Sequence, residues 1–158
     1  MKLQVDDYTN PEFRVGRPSA RAIIINDGSL LMIERNRPGL HYFSTPGGGI
    51  EDGETTLEAV QREIIEETSL NVRVEREIYR WVEGTHTHHF FLATYISGEP
   101  KLSDDAEENN NDPDNTHDPL WINLESIKDT PFGYWEPIKA QLMHDIQHGF
   151  PESVKLIE

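Results

Sequence analysis

The 158 residues contain no cysteine, which excludes a disulfide framework, a thiolate zinc site and a thiol nucleophile. Long apolar runs are missing too. The longest, such as Ala22 to Ile25 and Phe90 to Ala93, fall far short of the roughly 20 residues a membrane span needs. The opening MKLQVDDYTN has neither the basic nor the apolar stretch of a secretory leader, so the expected location is cytoplasmic. Positive charge is scarce: 14 Lys and Arg stand against 29 Asp and Glu, a formal net charge of −15. Such a chain repels polyanions at long range, so neither nucleic acid nor an anionic membrane is an expected partner. A small phosphate compound stays open if local cations receive it. Five of the nine arginines (Arg14, Arg17, Arg21, Arg35 and Arg37) precede the most acidic segment, either as a phosphate-facing patch or as ordinary solvated side chains.

What is present describes one globular domain over residues 1–158, with enough chain for a sizeable core. Residues 1 to 18 read as an irregular or edge segment, with Pro11, Gly16 and Pro18. Ala22–Ile25 reads as a short buried strand. Asp27-Gly28 supplies the positive φ of a tight hairpin, and Leu30–Glu34 returns as its partner. Asn36 to Gly39 turns again, and Tyr42-Phe43 leads into a Pro46-Gly47-Gly48-Gly49 loop. Val72–Glu77, Ile78–Val82 and His86–Ile96 suggest further strands, and Leu120–Asn123 a last short one. Residues 103 to 119 form a long acidic loop, and Trp135–Gln147 a closing helix stopped by Gly149 and Pro151.

The most informative stretch is GGIEDGETTLEAVQREIIEETSL, from Gly48 to Leu70. Thr55 with Glu58 fits a capping box, so a helix begins there. Leu57, Val60 and Ile64 recur at helical spacing and should face the core. Glu63, Glu66 and Glu67 share a neighbouring flank, where they can converge beside the glycine loop. A solvated acidic face explains most charge runs, but it does so poorly here. Anions near a helix C-terminus cost about 0.3–1 kcal/mol each, and like charges at i, i+4 add a few tenths. A bound divalent cation turns those penalties into ligation, since Mg²⁺ prefers carboxylate oxygens and phosphate.

At fixed spacing, Gly48, Glu54, Arg62, Glu63, Ile64, Glu66, Glu67 and Leu70 resemble the signature of the Nudix (MutT-like) hydrolases, G-x5-E-x7-R-E-U-x-E-E-x-G-U. The one departure is Ser69, where the family has glycine. If residue 69 ends the helix with positive φ, Ser69→Gly should stabilise by up to about 1 kcal/mol. The resemblance implies a Nudix-type α/β/α sandwich with a mixed central sheet. It also implies hydrolysis of a diphosphate bond in a nucleoside diphosphate linked to another group, with Mg²⁺ or Mn²⁺ as cofactor. Carried over residue by residue, Glu63 and Glu67 match direct metal ligands, Glu66 a shared or water-bridged one, and the Gly47 carbonyl a further oxygen. Arg62 and Glu54 match positions that orient the loop and the glutamates. Glu66 is the chosen general base, with an acid of the loop after Asp104 as rival. Arg35 and Asp114 are the candidate substrate contacts, and Asp118 stands beside Asp114 as a source of an extra ligand or base.

Other features weigh less. His86, His88 and His89 resemble an imidazole cluster, yet strand alternation puts only His86 and His88 on one face, and packed histidines are the commoner outcome. Tyr42, Phe43, Trp81 and Trp121 offer base-stacking surfaces, with core packing the stronger expectation. A silent Nudix-fold nucleotide-binding or sensing module is the rival class; three costly acids argue against it. An isoprenyl diphosphate isomerase of the same fold would need a cysteine. The substrate stays open among nucleoside triphosphates, ADP-ribose, sugar nucleotides and dinucleotide polyphosphates. The oligomeric state also stays open; Nudix proteins are often homodimers, so a homodimer is one candidate.

Overall fold

The structure, a computed structural model, describes residues 18–106 and 112–158. The irregular segment expected before residue 18, with Arg14 and Arg17, lies outside the described residues, as do Glu107 and Glu108 of the acidic loop.

Strand β1 (Ser19–Asn26) turns at Asp27 and Gly28, with φ of 49° and 74°, into β2 (Ser29–Arg37). Positive φ at both turn positions matches the right-handed twist of the flanking strands. The two strands pair only near that turn, Ile25 with Leu30 and Asn26 with Ser29, and then splay apart. The exposed edges take other partners. β2 pairs with β3 (Leu40–Ser44) and β7 (Asp118–Asn123), whereas Ser19, Ala20 and Arg21 pair with β4 (Gly47–Gly49). The expected glycine loop is therefore partly a strand. On its other edge β1 runs parallel to β6 (His86–Ser97), which pairs antiparallel with β5 (Asn71–Glu83). The result is an eight-stranded mixed sheet.

Helix α1 (Thr56–Thr68) packs on one face of this sheet and α2 (Glu136–His148) on the other. Period-two alternation in β1 decides which residue meets which helix. Ala20, Ala22 and Ile24 join Ala59, Val60 and Ile64 of α1, and the two alanines let that helix approach closely. Ile23 joins Phe90, Trp135, Ile138 and Leu142 on the α2 side.

Four expectations need correction. Leu57 is 45% exposed, because the buried stripe of α1 begins at Ala59 and Val60, and its first turn is left uncovered. Val72–Glu77 and Ile78–Val82 are one strand rather than two. A register shift between Glu77 and Tyr79 absorbs the expected break and turns the consecutive Ile78 and Tyr79 both inward. The strand ending at Asn123 is not the last. β8 (Lys155–Ile157) adds parallel to β5, its three residues too few to show a period. Finally, a short 3-10 turn at Gly133–Trp135 precedes α2, which starts at Glu136 rather than Trp135.

Candidate active site

The glycine strand and the start of α1 form the site, and close contact dictates the glycines. A Cβ on Gly47 would lie 2.4 Å from the Ala20 carbonyl oxygen and 2.5 Å from Arg21 Cγ. A Cβ on Gly48 would lie 2.5 Å from Glu63 Oε1. Bare backbone on β4 is thus what lets β1 close on one side and a glutamate on the other.

The capping box sets the helix start. Thr55 Oγ1 accepts from the Glu58 backbone N–H, and Glu58 Oε1 accepts from that of Thr55, both at 3.1 Å. Two turns on, Arg62 is the hub. Its Nε and Nη2 donate to both oxygens of Glu54, at 2.8 and 3.0 Å. Nη1 reaches Glu63 at 2.8 Å and Glu66 at 3.3 Å, and Nη2 also reaches the Gly49 carbonyl at 3.1 Å. Hydrogen bonding to Glu54, above all, holds the guanidinium still more firmly protonated than usual. Burial pushes the Glu63 carboxyl above the ordinary range, against the pull of Arg62. Glu67 is buried, and its Oε1 accepts the Gly47 backbone N–H at 2.7 Å. The Glu66 side chain is 43% exposed.

The three acids therefore lean on the protein's own donors instead of meeting at one point. Among the described residues, no three His, Asp or Glu side chains are drawn together as a ready metal cage. The donor chemistry still suits a hard divalent cation. Carboxylate oxygens beside a glycine backbone are the ligands Mg²⁺ and Mn²⁺ prefer, and a buried Glu63 is an acid in want of positive charge. Arg62 takes Oε1 of Glu63 and Oε2 of Glu66, and each carboxylate has a second oxygen to offer an ion.

The end of α1 is tied down from outside the helix. Ser69 takes φ 59°, and its Oγ donates to the Lys101 carbonyl at 2.6 Å. The Lys101 and Ser103 N–H groups satisfy the terminal carbonyls of Thr68 and Glu66. Sequence reasoning missed this clamp, since it joins residues more than thirty apart.

Arg35 is tied to the acidic loop that also carries Asp114. Arg35 is 1% exposed, its Nε donating to the Thr116 carbonyl at 2.8 Å and its Nη2 to Asn115 Oδ1 at 2.7 Å. It anchors the acidic loop to β2. Asp114 is exposed in a turn closed by Asp112 and Asn115, and Asp118 is exposed at the start of β7, opposite Glu34. The histidines are packed, as their alternation suggested. His88 is fully buried, with Nδ1 2.6 Å from Ser19 Oγ and its ring 4.9 Å from that of Trp135. His89 points the other way, to Glu77. Tyr42 and Trp81 are buried in the core beside them.

A capped helix thus presents acids and a bridging arginine to a glycine strand, on a mixed sheet with α1 on one face and α2 on the other. A family model described as the NUDIX domain matches residues 16–146. The chain belongs to the Nudix family. An ADP-ribose pyrophosphatase from Methanocaldococcus jannaschii is 41% identical over 93 residues, covering 54% of this chain and 55% of the relative. The chain thus spans about half the length of the curated relatives it matches. A NUDIX hydrolase structure from Nitrosomonas europaea superposes with TM-score 0.64 and 22% identity, covering 84% of this chain and 89% of that one. An ADP-ribose pyrophosphatase structure from Streptococcus suis gives 0.65 at 18% identity, over 89% and 97%. At those identities the likeness is one of fold.

Proposed function

We propose that the chain is a metal-dependent pyrophosphatase that hydrolyses the diphosphate bond of a nucleoside diphosphate linked to another group, with ADP-ribose the first compound to test. The observation that carries this reading is the Arg62 network, which holds Glu54, Glu63 and Glu66 beside the Gly47–Gly49 backbone. The ADP-ribose pyrophosphatase named above supports the choice of substrate.

Glu63, Glu67 and Glu66 are the residues that would hold Mg²⁺ or Mn²⁺, with the Gly47 carbonyl beside them. The ion supplies charge to neutralise the diphosphate and to acidify an attacking water. Arg62 keeps the acids in place through its grip on Glu54. Glu66, the most exposed of the three, is the group able to take a proton from water arriving at phosphorus. Buried Glu67 instead steadies the glycine backbone.

The test is a panel of ADP-ribose, sugar nucleotides, dinucleotide polyphosphates and nucleoside triphosphates with Mg²⁺ or Mn²⁺, products resolved by chromatography. Hydrolysis that stops in chelator and returns with metal is the expected result; full activity in excess chelator would sink the mechanism. A second reading, a nucleotide-binding module without turnover, draws on one observation: the acids rest on Arg62 and Gly47 rather than in a common cage. Binding of these compounds without release of product would favour it.

A further inference from the structure

On the far side of the glycine strand from Glu63, Arg21 has no role in the chemistry above. It sits in the otherwise apolar run of β1, directly opposite Gly47, and is 0% exposed. Its Nη1 donates to the Thr45 carbonyl at 3.0 Å, and its guanidinium carbon lies 4.0 Å from the centre of the Trp135 ring. Among the described residues its Nε and Nη2 are buried without a hydrogen-bond partner, and so is the neighbouring Thr45 hydroxyl. Each buried donor left unmatched is destabilising, and a charged one more so. An apolar side chain of similar length would pack against Trp135 without that cost, as replacements of buried ionic groups by hydrophobes show. Its side chain lies against the glycine strand, where a Cβ on Gly47 would come within 2.5 Å of Arg21 Cγ. In a chain of net charge −15, a cation kept at that cost beside the site calls for an anion.

We infer that Arg21 is a substrate-binding residue: its Nε and Nη2, with the Thr45 hydroxyl, take an oxygen of the diphosphate from the side of the glycine strand opposite Glu63. This assignment rests on the diphosphate reading above. Two N–H groups along one guanidinium edge match an oxyanion in geometry as well as charge. The edge is closed in, so the oxygen reaches it only as the surrounding side chains open locally.

The probe is α,β-methylene-ADP, a nucleoside diphosphate that resists hydrolysis, with adenosine as the phosphate-free control. In the ¹⁵N-labelled wild-type protein, the buried Arg21 Nε–H resonance should shift as the analogue is added and stay put with adenosine. An unmoved resonance, or an equal shift with adenosine, overturns the assignment. Calorimetry of Arg21→Met should show affinity for the analogue falling by about tenfold or more, the loss expected for a charge-assisted pair. Its melting temperature should be no lower than that of wild type, and Arg21→Lys should fall between the two in affinity. Arg21→Met affinity within about twofold of wild type overturns the proposal; if that variant does not fold, the wild-type resonance decides alone. Hydrolysis by a wild-type protein whose Arg21 resonance does not respond removes this inference only. A wild type that neither binds nor cleaves any diphosphate removes the reading it rests on as well.

Discussion

Individual residues around α1 divide into those that hold charge and those that hold shape, and substitution separates them. Glu66→Gln keeps volume but removes a proton acceptor. Turnover measured at saturating substrate should fall by about 10²–10⁴ if it is the base, with substrate affinity little changed. Glu63→Gln and Glu67→Gln should instead weaken metal binding, so excess Mn²⁺ should restore part of their activity. Normal turnover by Glu66→Gln would move the base to the loop carrying Asp114 and Asp118. Ser69 is a different case. Its left-handed backbone costs about 1 kcal/mol that glycine would avoid, yet its hydroxyl donates to Lys101, a bond worth about 0.5–1.5 kcal/mol. The two offset. Ser69→Gly should therefore change unfolding free energy by less than about 0.5 kcal/mol, rather than stabilise by the amount the backbone alone suggests, while Ser69→Ala should destabilise by about 1 kcal/mol. A clear gain for Ser69→Gly in denaturant titration would mean that the Lys101 bond contributes nothing.

Among the elements, α1 was the most legible because its determinants are local. The capping box, the positive φ at its end and the inward Val60 and Ile64 are all set within a few residues of one another. Thr55→Ala should destabilise the protein by about 1 kcal/mol, read as a lower denaturant midpoint at unchanged slope. No change would show that Glu58 and water suffice to cap the helix. β4 and β8 were not legible, because three residues carry no period and their strand character comes only from pairing with β1 and β5. Leu57 misled for the complementary reason: helical spacing says which face a residue is on, not how far along the helix the sheet extends.

The molecule as a whole is held by links between distant segments, and one of them should set its acid stability. Tyr79 of β5 donates its hydroxyl to Asp145 of α2 at 2.5 Å, joining residues 66 apart. Burial opposes ionisation of Asp145, but hydrogen bonds from Tyr79, His144 and Gln141 prevail and hold its carboxyl below the usual range. A carboxyl lowered in the folded state stabilises above its unfolded value, about 3.9, and that contribution is lost as pH falls through the lower folded value. Tyr79→Phe removes one of the donors. Its melting temperature should lie furthest below that of wild type above about pH 5, and the two curves should converge as pH falls below about 4, because wild type has more of this contribution to lose. Parallel curves would show that the bond does not favour the ionised acid.

Local chemistry in the sequence determined the class of site: eight residues at fixed spacing, a cap, a glycine run, and acids on one flank of a helix. These follow from helical geometry and backbone conformation, which act over a few residues and so can be read from a few residues. Tertiary structure alone decided what those groups touch. It turned the acids onto Arg62 and Gly47 and used Arg35 to anchor the loop of Asn115 and Thr116. It also buried Arg21 against Trp135. Arg21 and Arg35 look alike in sequence, each a charge in or beside an apolar run. Their difference comes from partners tens of residues away: Arg35 meets Asn115 and Thr116, whereas Arg21 meets an aromatic ring, one carbonyl and, among the described residues, no acceptor for its remaining edge.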